Sequence, residues 1–96
     1  MITKEELLQK RDQILQIAAQ HGVLKVRVFG SVARNEAKQG SDLDLLIEPG
    51  SNLSAWFPAG LIVDLEKLLD CKVEVVTERA LTPLFREKVL TEAITL

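Results

Sequence analysis

Ninety-six residues, 47% of them hydrophobic and 27% charged, can close one small domain over 1–96 with its own core, which excludes an intrinsically disordered chain. A net charge of −2 argues against the surplus of Lys and Arg that holds a nucleic-acid backbone, so no nucleic-acid partner is expected. A single cysteine excludes an internal disulfide, and no apolar run approaches the roughly 20 residues that cross a bilayer, so a cytoplasmic protein without membrane contact is expected.

The chain opens with "MITKEELLQK", acidic and amphipathic, with no apolar signal region. Thr3 and Glu6 have the spacing of a capping box, and Leu7, Ile14, Leu15 and Ala18 recur at helical spacing until Gly22. That predicts one helix up to Gly22. "VLKVRVF" (23–29) is rich in β-branched residues and predicts a strand ending at Gly30. "SVARNEAK" (31–38) predicts one or two helical turns, "QGS" (39–41) a turn, and "DLDLLIE" (42–48) a second strand.

"PGSN" (49–52) predicts a loop. Pro58 suits a helix opening and not a helix interior, so the next helix is placed at about 58–70. "KVEVVT" (72–77) alternates as a third strand. Thr82-Pro83 reads as a cap and a first-turn proline that open a last helix of about a dozen residues. Helix, strand, helix, strand, helix, strand, helix is the order of an α/β domain: a small sheet of about three to four strands flanked by helices. Strand direction stays open at this stage, and a mixed sheet is allowed.

"GSVARNEAKQGSDLDLLIE" (30–48) carries the chemistry. Residues two apart on a strand share a face and lie about 6.5–7 Å apart, so Asp42 and Asp44 project together while Leu43, Leu45 and Ile47 fill the other face. Two neighbouring carboxylates raise each other's pKa unless a cation neutralises them. Mg²⁺ is the expected cation, because it binds through one or two carboxylates together with substrate phosphates. Oxygen donors without His or Cys disfavour zinc. Gly30, lacking a Cβ, permits a sharp strand-to-helix turn and a close anion. Ser31 offers a hydroxyl and begins a helix whose free N–H groups favour phosphate. The two halves together define a place for a metal-bound triphosphate.

Gly30-Ser31 followed by Asp42-x-Asp44 resembles the nucleotidyltransferase superfamily that includes DNA polymerase beta and kanamycin nucleotidyltransferase. The fuller string, with "KVEVVT" and the C-terminal "REKVLTEAITL", is similar to the minimal nucleotidyltransferases, small domains encoded beside a HEPN-domain protein. The resemblance covers essentially the whole chain. It implies the nucleotidyltransferase fold and transfer of AMP from ATP, with two Mg²⁺ ions, to a hydroxyl. Asp42 and Asp44 would hold the metals, and Gly30 and Ser31 the β- and γ-phosphates. Arg34 would reach a phosphate, with a solvated helix position as its plain alternative. Ser41, just before the aspartates, is counted with the nucleotide-binding residues.

The resemblance also implies a third carboxylate on a neighbouring strand. Glu74 takes that position, where most relatives carry aspartate, and one more methylene lets its oxygens reach further. A misplacement of about 1 Å can slow a reaction about a hundredfold. The implied partner is a HEPN toxin, this chain being its antitoxin in a hetero-oligomer, with a toxin tyrosine as the acceptor. The chain has no tyrosine of its own to modify. The alternative is an antitoxin of little activity that neutralises the toxin by binding it. A third reading, end modification of nucleic acid, is weakened by the acidic balance.

The remaining polar residues get plain readings. His21 is placed at a helix C-terminus, where partial positive charge is favourable. Asp64, Glu66 and Asp70 are placed on an exposed helix face, and Cys71 in the core. Trp56 and Phe57 fall in a loop, where they either stack on a base or plug the core.

Overall fold

A computed structural model describes residues 2–96. Thr3 caps α1 (Lys4–Gln9) as its spacing predicts, its Oγ1 accepting from the Glu6 N–H at 3.1 Å. The predicted single helix breaks at Lys10 (φ −99°, ψ 11°), and α2 (Arg11–Gln20) follows. Leu7 on α1 and Ile14 and Ala18 on α2 are all buried, so apolar spacing survived the break that it could not reveal.

β1 (Val23–Phe29) leads into α3 (Gly30–Ala33), a single turn where one or two were expected. β2 (Leu43–Pro49) starts one residue later than predicted and leaves Asp42 just ahead of the strand. α4 (Ala59–Leu69) begins after Pro58, which is its cap, and ends at Asp70 in the left-handed region (φ 52°). β3 (Val73–Thr77), a 3-10 turn at Glu78–Ala80 and α5 (Pro83–Glu92) follow. Thr82 caps α5 by position, but its side chain makes no capping bond. The element order expected from sequence stopped there, and the structure adds β4 (Ile94–Thr95).

The sheet runs β3-β2-β1-β4 and is mixed: β1 is antiparallel to β2 and β4, whereas β2 and β3 are parallel. The parallel pair is joined by a crossover through α4, which packs on β3 and on α2. One face buries Val26, Val28, Leu43, Leu45, Ile47 and Val73 against Ile14, Ala18, Leu61, Leu65 and Leu69. Alternation along the strands assigns the other face to Arg27, Phe29, Asp44 and Glu74. Acids and core are thus separated by the pleat alone.

Asp64 and Glu66 on α4 are not idle surface, contrary to the expectation, whereas Asp70 is exposed as expected. His21 Nδ1 lies 2.7 Å from Ser54 Oγ and its Nε2 2.7 Å from Asp64, tying the end of α2 to the loop after β2 and to α4. Glu66 Oε2 accepts the Val73 N–H at 3.0 Å, which fixes the start of β3. Phe57 packs against the core, while Trp56 beside it is 89% exposed. Cys71 is half-buried and packs against the core from its edge, where a fully buried position was expected.

Candidate active site

The site forms where β1 ends and β2 begins. β1 and β2 run antiparallel with Phe29 opposite Asp44, so the turn after Phe29 lies beside the aspartates. Asp44 is in turn the register partner of Glu74 across the parallel β2·β3 pair. Pairing thereby brings three residues distant in sequence, Gly30, Asp44 and Glu74, to one edge of the open face.

Gly30 has φ +78°, a conformation that residues with a Cβ rarely adopt. A Cβ there would collide with Asp44 Oδ2 and lie 3.2 Å from its Cγ. The glycine therefore makes room for the aspartate itself, a reason that motif reading assigned to an incoming anion.

Asp44 is held near the sheet surface with few groups to stabilise its charge. Burial raises its carboxyl to about 6, aided by the neighbouring Glu74 carboxylate and the charge of Asp42 and opposed by Arg34. Among the described residues no Lys or Arg forms an ion pair with Asp42, Asp44 or Glu74. Nor do three acidic, His or Cys side chains there stand in a ready-made coordination cluster. The donor set, oxygen only, unpaired and mutually repelling, fits a hard divalent cation such as Mg²⁺ that keeps waters and shares phosphate oxygens.

Other candidates are placed less simply. Ser31 sits on α3 next to the turn. Ser41 Oγ accepts the Lys38 N–H at 2.9 Å, so it closes the 38–41 turn that leads into Asp42. The N–H of Gly30, a residue expected to hold phosphate, donates to Glu92 Oε1 at 2.9 Å. Arg34 is exposed, as its plain alternative expects, yet ion-paired: its Nε meets Glu36 at 3.0 Å and its Nη1 meets Glu92 Oε2 at 3.0 Å. These pairs raise the Arg34 pKa, the bond to Glu36 most. The Glu92 carboxyl is lowered: burial works against the shift, and the Gly30 N–H and Arg34 outweigh it. Motif reading did not single out Glu92, because nothing local marks a glutamate that acts 62 residues away.

A groove of about 340 Å³ opens further along the sheet, lined by Lys25, Arg27, Leu46, Glu48, Thr77 and Arg79. Register places Leu46 two residues beyond Asp44 on β2 and opposite Arg27.

A family model described as a nucleotidyltransferase domain matches residues 11–96. The chain belongs to the nucleotidyltransferase family. This nucleotidyltransferase is 39% identical, over 85% of its length and 88% of the relative's, to a protein of Methanocaldococcus jannaschii provisionally named a protein adenylyltransferase. A solved structure provisionally described as a minimal nucleotidyltransferase shares its fold at a TM-score of 0.84 and 46% identity, covering 99% of this chain and 97% of that one. The fold also recurs at 18% identity in the complex of a tri-AMPylated Shewanella oneidensis HEPN toxin with an MNT antitoxin (TM-score 0.66, 92% of this chain, 69% of that one).

Proposed function

We propose that this nucleotidyltransferase moves AMP from ATP to a tyrosine hydroxyl of a HEPN-domain partner, in a Mg²⁺-dependent reaction, and serves as that partner's antitoxin. The observation that carries the reading is the Asp44–Glu74 register set beside the Gly30 turn, which joins two repelling carboxylates to a close-approach glycine. Asp42, Asp44 and Glu74 would hold the divalent ion, which would supply charge neutralisation for the attacking and leaving oxygens. Ser31 binds the β- and γ-phosphates through its hydroxyl and N–H, and Arg34 adds positive charge there. The acceptor oxygen bonds to the α-phosphorus as the α–β bridging bond breaks, and pyrophosphate departs with the bond's electron pair. Glu74, exposed at the sheet edge, takes the hydroxyl proton and passes it to solvent. Catalysis of this kind rests mainly on positioning and electrostatics.

The acceptor lies on another polypeptide, since this chain has no tyrosine. The name of the Methanocaldococcus jannaschii relative and the modified toxin in the Shewanella oneidensis complex support a protein acceptor and a HEPN partner. The test is incubation of the purified chain with labelled ATP, Mg²⁺ and the HEPN protein encoded beside it. Wild type labels the toxin, and Asp42→Asn does not.

The exposure of Glu74 favours a second reading, an antitoxin that acts by contact. On that reading the Asp42→Asn protein still neutralises the toxin fully.

A further inference from the structure

α5 ends at the turn that frames Ser31. β4 pairs with β1 through Thr95 opposite Arg27 and Ile94 opposite Val28, which sets the last residue of α5 beside the end of β1. From there Glu92 Oε1 accepts the Gly30 N–H at 2.9 Å and Arg34 Nη1 at 3.1 Å, and its Oε2 accepts the same Nη1 at 3.0 Å. One carboxylate therefore grips the residue before Ser31 and the arginine three residues after it. Glu92 is 16% exposed, on a helix whose other side chains mostly face solvent. With Glu36 on Nε, two of the three Arg34 nitrogens are engaged, and Nη2 has no hydrogen-bond partner among the described residues.

We propose that Glu92 is a positioning residue for the nucleotide: it clamps Gly30 and Arg34 so that the Ser31 hydroxyl and Arg34 Nη2 are presented together to the polyphosphate. The proposal rests on the adenylyltransferase reading of the same site. The physical reason is that an arginine side chain is long and has many rotamers. Ordering it before the ligand arrives removes that entropy from the binding step. The Gly30 N–H, already satisfied, then serves to hold the turn and not to hold phosphate.

The test uses the full chain, with Mg-ATP titrated calorimetrically into wild type, Glu92→Gln, Arg34→Ala and the double variant, each also melted without ligand. Glu92→Gln should weaken Mg-ATP about tenfold, the scale of one charge-assisted hydrogen bond, because the amide keeps the Gly30 contact but not the ion pair. In the Arg34→Ala background the same change should shift Kd less than about twofold, since a residue acting through another shows non-additivity. If Glu92→Gln does not fold, Glu92→Asp, which keeps the charge on a shorter stem, takes its place with a smaller loss expected. Equal melting losses in both backgrounds with unchanged Kd would reduce Glu92 to a structural link and overturn the proposal. Tighter Mg-ATP binding by Glu92→Gln would also overturn it, by making Glu92 a competitor of phosphate. Wild type that binds no Mg-ATP would defeat the adenylyltransferase reading and this proposal with it, whereas binding insensitive to Glu92 defeats the proposal alone.

Discussion

Asp44 of β2 and Glu74 of β3 are register partners in a parallel strand pair, and the Asp44 carboxylate fills the space that a side chain on Gly30 would need. The two contacts explain each other. A carboxylate pressed between a second acid and a backbone turn has neither room nor charge balance, and on the proposed reading a divalent ion shared with a polyphosphate would supply the latter.

Gly30→Ala should therefore damage fold and site together. Its Cβ meets Asp44 Oδ2 in a backbone conformation of φ +78°, a strain of order 1–3 kcal/mol. Urea unfolding should show that loss, and Mg-ATP should no longer raise the melting temperature. A variant as stable as wild type with intact Mg-ATP protection would contradict the geometry.

The acids also set a pH dependence for the ligand-free protein. Asp44 is raised from 3.8 to about 6 by burial and by its acidic neighbours. Between those values the folded state binds more protons than the unfolded chain, so unfolding free energy falls as pH rises from about 4 to about 6. The favourable contribution is complete below the lower value and absent above the higher one. Asp44→Asn should flatten that segment of the curve and be the more stable protein at pH 7 without metal. Mg-ATP binding should weaken as pH drops below about 6, where Asp44 becomes neutral. Denaturation midpoints across this range check the first claim, and calorimetric titrations check the second.

Much of this was legible in the sequence because strand periodicity is local. The alternation of "DLDLLIE" separated Asp44 from Leu43, Leu45 and Ile47, and the structure buries those three apolar residues. Strand direction was not legible, since a crossover helix and a hairpin leave similar local patterns. The partnering of Asp44 with Glu74 follows only once β3 is known to run parallel to β2. β4 was missed because two residues carry no period. Glu92, which β4 delivers to Gly30, was missed with it. The break at Lys10 escaped because both helices bury their apolar residues in one core, so the pattern continues across it.

Glu66 should matter for the position of Glu74. Its Oε2 accepts the Val73 N–H at 3.0 Å, the residue before Glu74, and removing it leaves a partly buried backbone donor without that acceptor. Glu66→Ala should destabilise the fold by about 1–3 kcal/mol. Amide exchange at Val73 and Glu74 should quicken well ahead of the rest of the sheet. Unchanged exchange there would show that strand pairing alone fixes β3.

His21 links three segments through Ser54 and Asp64 at 2.7 Å each, with its side chain 13% exposed. His21→Ala should lower stability by about 1–3 kcal/mol, because a largely buried ring and its two hydrogen bonds to Ser54 and Asp64 are lost, while leaving Mg-ATP affinity intact. Loss of affinity at full stability would mean that the loop after β2 reaches the nucleotide.

Two radioactive forms of ATP, one labelled at the α-phosphate and one at the γ-phosphate, test nucleotidyl transfer most directly when each is incubated with the chain, Mg²⁺ and the neighbouring HEPN protein. The account predicts that α-label becomes covalently attached to the HEPN protein, that γ-label leaves as pyrophosphate, and that Asp42→Asn and Asp44→Asn abolish the attachment. Attachment of γ-label, or α-label transferred equally well by the two asparagine variants, would contradict it.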